Sequence, residues 1–369
     1  MCSYRPDWVP ENAGDEFAIK VVKGVKTVDK KQSQNKFVKR KKLNVDDYVN
    51  GILKRDRTIL ARTITLIESN SPKHISLAQE VIKKLLPYTG KSIRIGITGV
   101  PGAGKSTFIE AFGNYLLKQN YRVAVLAIDP SSTITKGSVL GDKTRMETLS
   151  RSENCFIRPS PSSGMLGGVT RKTRETTLIC EAAGYDVILV ETVGVGQNEI
   201  TVRSMVDFFL LMKIAGAGDE LQGIKKGVIE LADAIFINKA DGDNKLRADV
   251  AREEFSRALH YLKSPTDGWT PKVITGSALN NDGTEEIWKI ISEFIETTNR
   301  NGVMKQRRQN QNLDWVHDLI KEYLYNNFYI NKSIQRILPM IEESVLSEKI
   351  PPTKAAQELI ELFERSYQS

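Results

Sequence analysis

A run of nine residues, Gly99 to Thr107, has the types and spacing of a phosphate-binding loop. It matches G-x-x-x-x-G-K-[ST] and lies between the apolar run Ile93–Ile97 and a helical pattern over Phe108–Leu117. Glycines let backbone N–H groups turn toward phosphate oxygens, and the helix N-terminus adds partial positive charge. We predict that Lys105 reaches the β- and γ-phosphates and that the Ser106 hydroxyl binds Mg²⁺; the alternative is a glycine-rich turn of structural use only. The nine residues are Gly99, Val100, Pro101, Gly102, Ala103, Gly104, Lys105, Ser106 and Thr107.

A second motif, Asn238-Lys239-Ala240-Asp241, follows the apolar run Ala234–Ile237 and has the pattern N-K-x-D. A carboxylate at Asp241 can accept hydrogen bonds from guanine N1–H and the exocyclic amine. Adenine offers no such pair of donors, so the motif favours GTP over ATP. The tripeptide Ser277–Leu279 resembles the short loop whose backbone N–H contacts guanine O6. The residues predicted to bind the base are Asn238, Lys239, Asp241, Ser277, Ala278 and Leu279.

Three acidic residues are candidates for holding the metal ion. Glu191 ends a strand-like run and opens Glu191–Gly194, which stands where D-x-x-G usually stands. A carboxylate there can hold Mg²⁺ through water and let Gly194 sense the γ-phosphate. Asp129 follows an apolar run, and Asp142 lies in the next loop; for each acid the alternative is a solvated loop residue or a helix cap. The predicted metal ligands are Ser106, Asp129, Asp142 and Glu191, and the predicted catalytic residues are Lys105, Glu191 and Asp129.

The position that carries a water-orienting Gln in many small GTPases is Val195 here. Gln197 lies two residues further along the chain. We therefore expect slow intrinsic hydrolysis, completed by another residue or by a partner.

Short apolar runs that alternate with helical stretches must position these residues. Continuous apolar runs bounded by Gly or Pro are typical of strands buried on both faces. We predict an α/β fold, a P-loop GTPase domain with a mainly parallel sheet over residues 92–298. The predicted strands are Ile93–Ile97, Val123–Ile128, Val187–Val190, Phe208–Met212, Ala234–Ile237 and Val273–Ile274.

Helical segments are expected on either side of this domain. Residues 44–91 carry one helical pattern over 44–70, with Asn44 as its cap, and another near 75–87. Residues 299–369 read as a polar connection over Arg300–Gln311 followed by an arm of three amphipathic helices, the second of which contains Pro339. We predict that this arm buries its apolar stripes in a homodimer.

Residues 1–43 are expected to form a basic, flexible tail. Seven basic and no acidic residues lie between Lys30 and Lys42. A patch for an anionic partner is possible on charge alone, but Phe37 is the one aromatic residue among these charges and does not suggest base stacking, so a solvated linker is preferred and no nucleic-acid partner is expected.

Composition narrows the class of protein further. The net charge is +8, and the chain has three cysteines and three histidines, all scattered. A disulfide framework and a zinc or nickel site of clustered Cys and His are therefore disfavoured. No run reaches the length of about 18 apolar residues that a membrane helix needs. The N-terminus lacks an apolar signal core and carries acidic residues, so a cytoplasmic location without membrane attachment is predicted.

Together these motifs resemble the MeaB/ArgK family, P-loop GTPases that accompany adenosylcobalamin-dependent methylmalonyl-CoA mutase. The resemblance is dense over residues 45–300. It rests on Gly99–Thr107, Ala127–Ser132, Gly141–Met146, Glu191–Gln197 and Gly216–Lys225.

The resemblance implies a GTP-hydrolysing chaperone that gates cobalamin loading onto the mutase and protects the mutase from inactivation. It also implies that residues Gly216–Gly227 form an additional switch loop, and that the C-terminal arm mediates dimerisation.

Two hypotheses remain open. The first is a regulatory GTPase that acts on a partner; the second is a kinase or other phosphotransferase, in line with a former description of the family as a lysine/arginine/ornithine transport kinase. The N-K-x-D motif and the lack of an evident acceptor-binding loop favour the GTPase.

Overall fold

Seven parallel strands form one sheet in a computed structural model, which describes residues 43–129, 146–161, 166–192, 198–216 and 226–368. In chain order they are β1 (Ile93–Gly99), β2 (Val123–Asp129), β3 (Cys155–Pro161), β4 (Val187–Thr192), β5 (Phe208–Ile214), β6 (Ala234–Asn238) and β7 (Lys272–Thr275). Their order across the sheet is β3-β2-β4-β1-β5-β6-β7, and every pairing is parallel. The predicted α/β fold with a parallel sheet is confirmed.

All six predicted strands are present, but β3 was not predicted. Its sequence includes Arg158, Pro159 and Pro161, which interrupt any apolar pattern. β3 pairs only with β2 at the edge of the sheet. An edge strand tolerates proline because one side of it needs no ladder hydrogen bonds.

Helices cover both faces of the sheet. Successive residues of β4 alternate between two apolar clusters: Ile188 and Val190 belong to one, Val187 and Leu189 to the other. The helices are α1 (Val45–Leu53), α2 (Arg57–Glu68), α3 (Pro72–Leu85), α4 (Lys105–Lys118), α5 (Glu147–Arg151), α6 (Leu166–Ala182), α7 (Asn198–Arg203), α8 (Lys226–Ile229), α9 (Lys245–His260), α10 (Thr284–Arg300), α11 (Val303–Ile330), α12 (Lys332–Leu346) and α13 (Pro352–Gln368). Because alternate β4 residues are buried on opposite faces of the sheet, its sequence is an unbroken apolar run.

The N-terminal segment differs from its prediction. The expected helix over 44–70 is two helices, because Arg55 has a left-handed backbone (φ 64°) and Asp56 caps α2. The Asp56 carboxylate accepts hydrogen bonds from the backbone of Thr58 at 2.8 Å and Ile59 at 3.1 Å. Asn44 caps α1 as expected, in a capping box.

The C-terminal segment differs more. The stretch Arg300–Gln311, predicted to be a polar connection, is mostly the first part of the 28-residue helix α11. That prediction is wrong because two of its arginines point into the protein: Arg307 and Arg308 pair with the buried carboxylates of Asp233 and Asp207. The three predicted amphipathic patterns are helices, and Pro339 lies within α12. The predicted domain boundaries stay predictions, and the tail (residues 1–42) lies outside the described residues.

None of the helices in the described ranges is both long enough and apolar enough to cross a lipid bilayer.

Candidate active site

The phosphate-loop motif joins the end of β1 to the start of α4. Gly99 closes the strand, and a Cβ on it would lie 2.4 Å from the backbone oxygen of Met212 in β5. Gly104 precedes α4 with φ 84°, and a Cβ there would lie 2.4 Å from Nδ2 of Asn238. Both contacts exclude a larger residue. The loop can pass this close to the neighbouring strands because it has no side chains at these two points.

Lys105 is the first residue of α4, and its side chain folds into the loop. Its ammonium donates hydrogen bonds to the backbone oxygens of Gly99 at 2.8 Å and Val100 at 3.2 Å. Burial lowers the pKa of Lys105, while the nearby carboxylates of Glu191 and Glu199 oppose that shift. The Lys105 ammonium is thus held at the centre of the motif by two backbone carbonyl groups. A bound anion can take their place as its hydrogen-bond acceptor.

Ser106 and Glu191 meet beside Lys105. The Ser106 hydroxyl donates to Oε1 of Glu191 at 3.1 Å, and Glu191 is buried. The two residues come from α4 and from β4, which pairs with β1 so that Glu191 stands opposite Ile97. A hydroxyl and a carboxylate are hard oxygen ligands of the kind that Mg²⁺ takes, alongside waters and substrate phosphates.

The other two predicted metal ligands are only partly observable. The backbone of Asp129 ends β2, next to the end of β4 that carries Glu191. The side chain of Asp129 and the whole of Asp142 lie outside the described part of the chain, as do residues 193–197 and 217–225. Within the described ranges, no group of three or more His, Cys, Asp or Glu side chains could hold a metal by itself.

Asn238 links the phosphate loop to the loops predicted to read the base. Its side chain is buried at the end of β6; Nδ2 donates to the backbone oxygen of Ala103 at 2.8 Å, and Oδ1 accepts from the backbone N–H of Ala278 at 3.0 Å. One amide therefore connects the phosphate loop, 135 residues earlier in the chain, to the loop that contains Ala278, 40 residues later. The predicted phosphate and base segments are brought together at this residue.

Asp241 and Ser277 are direct neighbours. The Ser277 hydroxyl donates to the Asp241 carboxylate, and the backbone N–H of Ala240 donates to the oxygen of Gly276 at 3.0 Å. Lys239 has a left-handed backbone (φ 60°) and an exposed side chain, and Leu279 is 77% exposed. The carboxylate is thus oriented by its neighbours beside an open face.

One residue at this site was missed. Glu199 lies in α7, is buried, and acts on the pKa of Lys105. Its position two residues after Gln197 was a signal, because it places a second carboxylate just beyond the segment that begins with Glu191.

The comparisons with known proteins identify the family of the chain. Residues 60–333 match the family model described as methylmalonyl-CoA mutase-associated GTPase MeaB. GTPase ArgK of Escherichia coli (strain K12) is 46% identical over 312 residues, which cover 85% of this chain and 94% of that protein. The mitochondrial methylmalonic aciduria type A homolog of Mus musculus is 45% identical over 329 residues, 86% of this chain and 79% of that protein.

A solved structure described as a LAO/AO transport system kinase superposes with a TM-score of 0.73 at 38% identity, covering 88% of this chain and 100% of its own. Since the family model spans most of the chain and relatives at this identity cover more than two thirds of it, the chain belongs to the MeaB family of methylmalonyl-CoA mutase-associated P-loop GTPases.

Proposed function

We propose that this GTPase is a chaperone of an adenosylcobalamin-dependent methylmalonyl-CoA mutase, and that GTP hydrolysis gates cofactor loading and protects the mutase. The observation that carries the nucleotide part is the double hydrogen bond of Asn238, which joins the phosphate loop to the base-reading loop. The family description and the mouse relative support the choice of mutase.

At the phosphate end, Lys105 exchanges its bonds to the Gly99 and Val100 carbonyls for bonds to the β- and γ-phosphates. The backbone N–H groups of Gly99–Thr107 bind the remaining phosphate oxygens. Ser106 and Glu191, with Asp129 and Asp142, hold Mg²⁺, which neutralises charge on the phosphates when bound. Lys105, Glu191 and Asp129 are the proposed catalytic residues.

At the base end, Asp241 accepts from guanine N1–H and the exocyclic amine. Ser277 fixes the rotamer of the carboxylate, which reduces the order that must be created on binding. Backbone groups of Ser277, Ala278 and Leu279 would contact guanine O6, and Asn238 and Lys239 complete the proposed base-binding set.

We also propose a homodimer built on the C-terminal arm. Helices α11 to α13 expose large apolar side chains that a monomer leaves in water. They are Leu313, Val316, Ile320, Tyr323, Leu324, Ile330, Met340, Leu346 and Ile360. A second copy of the chain would bury them.

A cytoplasmic location and the absence of membrane and nucleic-acid partners remain predictions from the sequence. The two described cysteines, Cys155 and Cys180, are buried and free, which suits a reducing compartment. Burial raises the pKa of the Cys155 thiol to about 12, so this side chain is unreactive rather than catalytic.

The alternative is a phosphotransferase, which the name of the LAO/AO transport system kinase structure raises. Phosphate release separates the two. Purified protein with GTP and Mg²⁺ but no acceptor is expected to release phosphate, and ATP is expected to be a poor substrate. Release that appears only when an amino acid or protein acceptor is added would support the kinase instead.

The chaperone role is tested by co-purification with the mutase. Retention of the mutase is expected to differ several-fold between GDP and a non-hydrolysable GTP analogue. In Lys105→Ala that difference is expected to vanish, while Lys118→Ala, on the far end of the same helix, keeps it. No retention in either nucleotide state would contradict the proposal.

A further inference from the structure

The short helix α7 connects the nucleotide site to the C-terminal arm. It has six residues and is the first described element after residues 193–197. A helix of this length has no stability of its own in water, so its position is set by what it touches. Its contacts therefore decide where Glu199 lies.

At the nucleotide end, α7 contributes Glu199 and packs against the strand that leads into the phosphate loop. Glu199 is buried and raises the pKa of Lys105, against the larger lowering by burial. A Cβ built on Gly96 of β1 would lie 2.8 Å from Cγ1 of Val202. Helix α7 thus lies against β1 with no room for a methyl group between them.

At the other end, α7 and the residues that follow it contact the arm helix α11. The last carbonyls of a helix have no partner within it. In α7, those of Ile200 and Val202 accept from the backbone N–H groups of Ser204 and Met205, both at 3.0 Å, and that of Thr201 accepts from the Ser204 hydroxyl at 2.7 Å.

Helix α11 reaches both the last residue of α7 and Val206, which follows it before β5. Nε2 of Gln311 donates to the oxygen of Val206 at 2.8 Å and lies 3.5 Å from that of Arg203. Arg174 of α6 contacts the same region. Its guanidinium donates to the Ser204 hydroxyl and to the Gln311 backbone oxygen, both at 2.8 Å, and so links the end of α7 to α11. Gln311 and Arg174 are 7% and 6% exposed, so water cannot easily replace these bonds.

We propose that Gln311 and Arg174 are positioning residues for GTP hydrolysis, which hold the end of α7 opposite to Glu199 and so keep Glu199 near Lys105 of the phosphate loop. Neither residue touches the nucleotide. The arm is then part of the hydrolytic apparatus as well as a dimerisation element, and whatever moves α11 changes the hydrolysis rate.

The test compares Gln311→Met with Asn310→Ala in the full-length protein. Methionine keeps the length of the side chain and removes its donor, whereas Asn310 is the adjacent, exposed residue of α11 and bonds only to Gln306 within the described chain. We expect kcat for GTP to fall about tenfold in Gln311→Met, which corresponds to about 1.4 kcal/mol. KM for GTP and the GDP affinity are expected to stay within twofold, and Asn310→Ala is expected to match the wild type.

A second variant, Arg174→Lys, keeps the charge and breaks the two-pronged contact. It is expected to lower kcat in the same way, and the double variant is expected to fall no further than the worse single one, since both act through one joint. A folded Gln311→Met or Arg174→Lys with kcat within twofold of the wild type would overturn the proposal. So would an equal loss of GDP affinity, which marks a general loosening of the fold.

The inference rests on the proposed role of Lys105 in phosphate binding. The inference and that proposed role can fail separately. Lys105→Ala tests phosphate binding directly, whereas Gln311→Met retains all the proposed nucleotide-binding residues and tests only how they are positioned for hydrolysis.

Discussion

Replacing Arg308 by alanine is expected to destabilise the protein strongly, although the residue lies in a stretch that looks like a solvent-exposed connection. Its guanidinium forms a two-pronged contact with Asp207: Nε lies 2.8 Å from Oδ1, and Nη2 lies 2.6 Å from Oδ2. It also donates to the backbone oxygens of Gly90 at 2.5 Å and Ser92 at 2.7 Å. One side chain thus joins α11 to the chain leading into β1 and to the residue before β5.

The magnitude follows from the burial of the partner. The Asp207 side chain is fully buried, and without Arg308 its carboxylate keeps the backbone N–H of Arg94 at 2.9 Å as a direct hydrogen-bond donor. Leaving such a carboxylate without its ion-pair partner costs about 3–5 kcal/mol. Lys305→Ala, which removes the same charge from an exposed position of α11, should cost at most about 0.5 kcal/mol.

Urea unfolding followed by circular dichroism measures both variants. A lower midpoint at an unchanged slope is expected for Arg308→Ala. Replacing Asp207 by asparagine in the same molecule removes the stranded charge, so Arg308→Ala/Asp207→Asn should cost less than the sum of the two single changes. If Arg308→Ala is as stable as Lys305→Ala, the ion pair does not anchor α11 and the reasoning is refuted.

Three further predictions concern the nucleotide and the arm. Lys105→Ala should abolish hydrolysis and sharply weaken triphosphate binding while the fold survives; normal phosphate release would remove the phosphate-loop assignment. Asp241→Asn should weaken GTP binding by about 2–4 kcal/mol, roughly 30- to 1,000-fold, and xanthosine triphosphate less, as measured by competition titration; an unchanged preference for GTP would exclude Asp241 as the guanine reader. Deleting residues 312–369 should give a GTP-binding monomer by light scattering, because it removes the exposed apolar side chains of the arm and keeps Arg307, Arg308 and Gln311; a full-length protein that is monomeric at micromolar concentration would contradict the dimer.

The sequence predicted the motifs of the site well because each depends on nearby residues. Gly99–Thr107 sets its own backbone path through its glycines and the helix that follows, and Asn238–Asp241 needs only a preceding buried strand. The Asn238 bridge to Ala103 and Ala278 was not predicted as a contact, since it joins three loops that are distant in the chain.

The errors have a different origin. Asp56 was read as part of a continuous helix pattern, although the same residue can cap a new helix after the left-handed turn at Arg55. Strand β3 was hidden by its prolines, which only an edge position permits. A periodic pattern of apolar residues contains neither the left-handed turn at Arg55 nor the edge position of β3.

The sequence by itself determined the parallel α/β fold and placed the phosphate-loop and N-K-x-D motifs at the ends of their strands, since local backbone preferences and apolar periodicity suffice for both. Only the tertiary structure decided that the polar stretch containing Arg307, Arg308 and Gln311 is an anchored helix. The physical reason is that the partners of these side chains, including Asp207 and Asp233, lie about 70 to 100 residues away in the chain and are buried at strand starts. In a sequence, a charged residue is expected to be exposed. It can be buried only where the fold places an opposite charge beside it, and here that charge comes from aspartates at the starts of sheet strands.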